Sequence, residues 1–123
     1  MKHQIQYNPN LKCLMVQIIG EFDLLGLEDI AMRVAKLLDK HPCKAVINDM
    51  RQAKLTNDVM AIYNMPKLAA LAGIKKPLKR ALVVNKKSGQ YRFLETVFMN
   101  QGHAVKLFES MDEAVAWVKE QQN

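Results

Sequence analysis

Two short stretches hold the residue types best suited to bind something. Arg51, Thr56 and Asn57 make up one; Asn85, Lys86, Lys87, Ser88 and Gly89 make up the other. Each stretch is expected to leave a strand and open a helix. In parallel sheets, the loops at the strand C-terminal ends carry the binding groups. A helix N-terminus there offers free backbone N–H groups and the positive end of the helix dipole. Lys86 and Lys87 add positive charge. If the two turns are neighbours, they suit a phosphate, a carboxylate or an acidic side chain. The alternative is that Asn57 and Ser88 only cap their helices and that the lysines are only solvated.

Other chemistry is hard to find. The chain has no glycine-rich phosphate loop, no HExxH helix, no paired-cysteine zinc pattern and no nucleophile elbow. His3, His41 and His103 are far apart in sequence, so no metal ligand set is assigned. No catalytic residue and no cofactor is assigned either, and an enzyme is not expected. Cys13 reads as a small core residue. Cys43 lies close to Lys40, His41 and Lys44, a setting that lowers a thiol pKa, yet it reads as an idle thiol. Two reduced cysteines are expected rather than a disulfide.

Charge is distributed unevenly. From Val59 to Leu94 there is no Asp or Glu, but there are eight cations: Lys67, Lys75, Lys76, Lys79, Arg80, Lys86, Lys87 and Arg92. The remainder holds ten cations and all twelve carboxylates. If the fold keeps the basic segment on one face, that face attracts anions, acidic proteins or acidic lipid; otherwise it is a solvated surface. It lacks interleaved aromatic residues, so nucleic acid is not an expected partner. At 123 residues, a single domain spanning 1–123 is expected, large enough for a core without staples. No apolar run is long enough to span a membrane, and the first ten residues lack a secretory signal's apolar stretch. The expected location is cytoplasmic.

The elements that must position these residues follow from periodicity. His3, Ile5 and Tyr7 alternate with polar residues, as in a half-exposed edge strand. Asn8-Pro9-Asn10 is a turn, and Leu11 to Ile19 pairs back as the second strand. Asp23 caps a helix whose apolar stripe is Leu27, Ile30, Ala31, Val34, Leu37 and Leu38. Ala45-Val46-Ile47 is a short third strand, left through Asn48-Asp49-Met50-Arg51 into a polar loop that enters a helix at Thr56-Asn57-Asp58. A helix is expected from about Asn57 to Ala72, with Val59, Ile62, Tyr63, Leu68 and Leu71 inward, a kink at Pro66 and a stop at Gly73. Leu78 to Val84 is the fourth strand. The next helix carries Tyr91, Leu94, Val97 and Phe98 on one side and stops near Gly102. Ala104 to Phe108 is the fifth strand. Ser110 to Glu113 form a capping box for a last helix with Met111, Ala114, Val115 and Val118 inward and Trp117 beside them; Gln121 to Asn123 fray. The order is ββαβαβαβα, a five-stranded mixed α/β sheet with the first strand antiparallel and right-handed crossovers between the parallel strands.

This order resembles the SpoIIAA-like group, related to STAS (sulfate transporter and anti-sigma factor antagonist) domains. The residues carrying the resemblance are Gly20-Glu21-Phe22-Asp23, the run Lys44 to Asp58, and Val105 to Ser110 followed by Met111 to Val118. It implies a right-handed β-α superhelix and a non-catalytic regulatory or protein-binding role. Anti-sigma factor antagonists carry an Asp-Ser-Ser-Gly-like sequence entering the helix after the third strand, and a serine there is phosphorylated. The matching positions here are Asn57 and Asp58, so that switch is absent. Thr56, next to them, reads as a helix cap, and Asp58 as a fixed negative charge.

Three roles remain open on the sequence. The first is a STAS-like module acting through a protein partner or as a homodimer. The second is a carrier or sensor of a small amphipathic anion, a lipid or fatty acid, with its head at Lys86, Lys87 and Ser88. The third is attachment to an acidic membrane surface. The apolar strands Lys12 to Ile19 and Ala81 to Val84 add a structural question. They need cover on both faces, from a partner, a ligand or the chain's own winding. Met50, Met60, Met65 and Met99 are expected around the central loops and helices, by default as plain core packing and otherwise as an adaptable surface suited to binding.

Overall fold

The first turn shows how local chemistry starts the sheet. The Asn8 side-chain Oδ1 accepts hydrogen bonds from the backbone N–H groups of Asn10 (3.0 Å) and Leu11 (3.1 Å), the Asx arrangement that reverses a chain tightly. Lys12 completes the reversal with φ 51°. Strand β1 (Lys2–Asn8) therefore pairs antiparallel with β2 (Cys13–Phe22), from Lys2 opposite Ile19 to Asn8 opposite Cys13. A computed structural model describes residues 2–56, 78–100 and 104–120. The expected helix at Asn57 to Ala72 lies outside the described residues, with Pro66, Gly73, Met60 and Met65. So do Gly102, His103 and the 121–123 tail.

Asp23 caps α1 (Leu24–Lys40), its carboxylate accepting from the Gly26 N–H at 3.0 Å. Strands β3 (Ala45–Leu55), β4 (Lys79–Val83) and β5 (Ala104–Phe108) follow, with α2 (Gly89–Asn100) between β4 and β5 and α3 (Met111–Glu120) last. The sheet order is β1-β2-β3-β4-β5, and every pairing after the first is parallel. Ser110 opens α3 as expected, its Oγ accepting from the Glu113 N–H at 3.3 Å.

One boundary differs greatly from the sequence reading. The chain does not leave the sheet at Asn48-Asp49-Met50-Arg51, and no polar loop precedes Thr56. Strand β3 continues through these residues to Leu55 and stays paired with β2 as far as Phe22. Between Gln17–Asp49 and Ile19–Gln52 the register takes two steps on β2 and three on β3, so β3 carries one extra residue, a bulge. Inward residues Val46 and Met50 are followed by Ala53 and Leu55. The phase changes by one at the bulge, and this breaks the alternation that marks a strand. The second strand is likewise displaced, running from Cys13 rather than Leu11 and ending at Phe22 rather than Ile19.

Alternation sends apolar residues to both faces. Leu14, Val16, Ile18, Val46, Met50, Leu82 and Leu107 form one core with Ile30 and Val34 of α1 and Tyr91 and Leu94 of α2. Cys13, Ala45, Ile47, Ala81, Val83 and Phe108 form a second core beneath Ala114 and Val118 of α3. The second apolar face is thus covered by the chain's own last helix. Toward β1 and β2 that face carries a shallow groove of about 180 Å³, lined by Gln4, Gln6, Gln17 and Asp49 together with Met15, Val16, Ile47 and Met111. Met50 packs in the core, whereas Met99 is exposed.

The outer edge at β5 is closed by a side chain. Glu95 of α2 reaches over and its Oε2 accepts from the Leu107 N–H at 2.6 Å. Occupying this outward N–H makes the edge a poorer template for pairing with another chain.

Candidate functional site

Bulging β3 brings Asp49 and Arg51 to one side of the strand, two residues apart. The Arg51 Nε and Nη2 donate to Asp49 Oδ1 and Oδ2, both at 2.9 Å, and the Arg51 backbone N–H donates to the same carboxylate at 3.2 Å. The guanidinium holds the Asp49 carboxyl below its ordinary range, chiefly through the side-chain hydrogen bond. The carboxylate in turn raises the Arg51 pKa. Arg51 therefore stands in the strand with its charge already matched.

Thr56 closes the same strand. Its hydroxyl donates to the Phe22 carbonyl oxygen at 2.9 Å, and its backbone N–H donates to that same oxygen at 3.1 Å. Its hydroxyl proton ties the end of β3 to the end of β2. Asn57 and Asp58 lie outside the described residues.

The second turn follows β4. Val84 donates its N–H to the Phe108 carbonyl at 2.8 Å, which holds the chain beside β5 as it leaves the sheet. The Ser88 N–H then donates to the Lys86 carbonyl at 2.8 Å. Ser88 caps α2, its Oγ accepting from the Tyr91 N–H at 3.3 Å. Gly89 starts the helix with open space where a Cβ would stand. The Lys87 N–H, pointed as an anion site would point it, donates to Glu109 Oε1 at 3.1 Å. Arg92, one turn into α2, donates its Nε to the Lys87 carbonyl at 3.3 Å. Asn85 and Lys86 are exposed, and Lys87 and Ser88 half-buried.

Register brings the two turns to one level, since Val83 pairs with Asp49, which sets Asn85 near Arg51. Tyr91 of α2 is buried, which pushes its phenol up, partly offset by the Leu55 backbone beside it, but its hydroxyl makes no hydrogen bond among the described residues. The sequence reading missed the two carboxylates that serve these turns, Asp49 and Glu109. The first was legible as an Asp-x-Arg pair, had β3 been read as continuous strand. The second needs the β4–β5 register, which no local pattern carries.

The eight-cation segment does not form one face among the described residues. Lys79 and Arg80 are buried at the start of β4, at 9% and 8% exposure, whereas Lys86, Lys87 and Arg92 follow its C-terminal end. Both cysteines are free. Cys13 is buried, and desolvation pushes its thiol up to about 11, with Cys43 adding a smaller like-signed effect. Burial also raises the Cys43 thiol. Burial therefore outweighs the basic neighbours at Cys43. His41 stacks on Tyr7 with ring centroids 4.2 Å apart. Among the described residues no helix is long and apolar enough to cross a membrane, and no cluster of three His, Cys, Asp or Glu could hold a metal.

No protein-family model matches the chain, and no curated protein does. Solved structures do match in fold. The anti-sigma factor antagonist SpoIIAA in its unphosphorylated form superposes with a TM-score of 0.57 at 18% identity, covering 96% of this chain and 98% of that one. The phosphorylated form of the Bacillus cell fate determinant SpoIIAA gives a TM-score of 0.51 at 16% identity, covering 95% and 99%. The chain has the SpoIIAA-like α/β fold, with the five-stranded mixed sheet that its element order implied.

Proposed function

We propose that this chain is a non-catalytic, STAS-like regulatory module that binds an acidic protein partner at the C-terminal ends of its parallel strands. One observation carries the reading. The polar groups there are already held in place by the chain's own side chains: Arg51 by Asp49, the Lys87 N–H by Glu109, and the Tyr91 N–H by Ser88. Such pre-set groups lose little freedom on binding, which favours recognition of a fixed surface. Lys86, Lys87 and Arg92 supply the charge that selects an acidic partner. Arg51, Thr56, Asn85, Ser88 and Gly89 frame it, and Asn57 and Asp58 extend it by their place in the sequence.

The solved relatives are described in phosphorylated and unphosphorylated forms. Asn57 and Asp58, at the matching positions here, offer no hydroxyl, so the module acts as a constant contact surface rather than a phosphate-operated one. A photo-crosslinking amino acid placed at Lys86 tests the reading, with a second placed at Met32, which is 51% exposed on α1. Crosslinks to one acidic protein from position 86 and none from position 32 are expected. A second copy of the chain crosslinked from position 86 would make the partner a homodimer. Equal crosslinking from both positions would remove the proposed surface.

A further inference from the structure

The two edges of the sheet are built differently. At β5 the Leu107 N–H is taken by Glu95 Oε2, and exposed Lys106 stands at the middle of the strand. Two copies pairing antiparallel about that middle residue would set one Lys106 directly opposite the other, and like charges so placed repel. An occupied N–H and a central lysine both keep a second chain off an edge.

Strand β1 has neither. Its register with β2 runs unbroken from Lys2 to Asn8, so no bulge twists the edge away. It contains no proline, and its one formal charge, Lys2, is at the end. Alternate residues of an antiparallel strand turn their N–H and C=O groups toward the neighbouring strand, and the rest turn theirs outward. Among the described residues, no backbone group of β1 bonds to anything except β2, so the outward row is open. Gln4 and Gln6 are exposed on one face, and His3, Ile5 and Tyr7 are half-buried on the other. Tyr7 is held in place, its ring stacked on His41 and its hydroxyl donating to the Pro42 carbonyl at 3.4 Å.

We propose that β1 pairs antiparallel with β1 of a second copy of the chain, about a twofold axis at Ile5, joining the two five-stranded sheets edge to edge. The strand is its own complement in this register. Ile5 is the central residue of β1, so each position finds a partner: Ile5 opposite Ile5, Gln4 opposite Gln6, His3 opposite Tyr7 and Lys2 opposite Asn8. Odd positions meet odd and even meet even, so the outward backbone groups of the two copies face each other. Charge selects this edge. The chain carries a formal net charge of +6, so two copies repel unless they meet where the surface is uncharged, and β1 from His3 to Asn8 has no formal charge. Side chains agree. Ile5 and Tyr7, which pack partly against the first core, gain cover from Ile5 and His3 of the second copy. Gln4 and Gln6 line the groove on the α3 face, and pairing continues that groove from one copy into the next. Such an interface presents the same patch on both subunits and closes at two. It lies at the far edge of the sheet from β5 and does not depend on the acidic-partner reading.

The test is sedimentation velocity of the full chain over a range of concentrations reaching the millimolar. Wild type should form dimers in a concentration-dependent way. Gln4→Lys/Gln6→Lys sets a lysine opposite a lysine at both glutamine pairs and should weaken the dimer at least about tenfold. Both side chains are exposed, so thermal unfolding of the monomer should be little changed. Gln4→Glu/Gln6→Lys sets a glutamate opposite a lysine at both pairs and should dimerise at least as tightly as wild type. A wild-type chain that stays monomeric at every concentration would overturn the proposal. So would a double-lysine variant that dimerises as well as wild type, or a mixed-charge variant that dimerises as poorly as the double-lysine one. If the double-lysine chain does not fold, the mixed-charge variant decides alone, and a monomer there overturns the proposal.

Discussion

Val118→Asp should destabilise the protein by about 3–5 kcal/mol, the cost of an uncompensated charge in a closed core. Val118 is 1% exposed and sits in the second core with Cys13, Ala45, Ile47 and Val83. A carboxylate there has two outcomes. It can stay buried and take up a proton, or it can drive α3 off the sheet. Detached, the helix would leave Ile47, Val83 and Phe108 to water, and exposed apolar patches of that kind drive self-association. Denaturant unfolding should report the loss, and sedimentation should report new oligomers at concentrations where the wild-type chain is unchanged. The neighbouring Val115→Asp is the comparison, because Val115 is only partly buried against the same core. It should cost clearly less. Equal losses at both positions would mean that α3 does not cover the second face as described.

Ile47→Ala should cost about 3 kcal/mol. Ile47 is fully buried in β3, paired on one side with Met15 and on the other with Ala81. Deleting three carbons removes their transfer energy and leaves a cavity between the sheet and α3, where Ile47 packs with Ala114 and Val118. Chemical denaturation should show a lower midpoint with an unchanged slope, the signature of lost stability without a changed unfolded state. Ile5→Ala, in the edge strand and only partly buried, should lose less than half as much. If the two were equal, β3 would not be the centre of the sheet.

These contrasts bear on what the sequence displayed. Strands with clean alternation, such as His3 to Tyr7, were legible, and so were helices with a cap and a stripe, such as Asp23 followed by Ile30 and Val34. Their signals are local, because each depends on residues two to four positions apart. The long third strand was hidden for a physical reason. Its second half faces solvent on one side, so it is rich in polar residues, and its bulge shifts the alternation by one. An Asn-Asp-x-Arg-Gln run therefore looked like a loop. The candidate site was legible to the same degree. Lys86, Lys87, Ser88 and Gly89 fall at a strand-to-helix turn, as their spacing implied. Their relation to Glu109 depends on pairing between strands more than twenty residues apart along the chain, and no local pattern encodes it. The buried pair Lys79 and Arg80 looked like part of a solvated basic stretch. They did fall inside the strand expected from Leu78 to Val84, but only the folded sheet shows that both are buried there.

The strand-end surface now has a definite composition. Under the proposed reading, its two carboxylates, Asp49 and Glu109, are spent on the protein's own groups, and Lys86, Lys87 and Arg92 are the cations offered to a partner. Charge complementarity of that kind acts mainly on encounter and selectivity, so its loss should weaken binding in a salt-dependent way.

The most direct measurement is the affinity of the partner crosslinked from position 86, for the wild-type chain and for Lys86→Glu/Lys87→Glu, at low and high salt. Both substitutions lie in a turn whose hydrogen bonds come from the backbone and from Ser88 and Glu109, so the fold should be preserved. The account predicts at least about tenfold weaker binding at low salt, with the difference shrinking as salt rises. Unchanged affinity at low salt, with the fold intact, would contradict it.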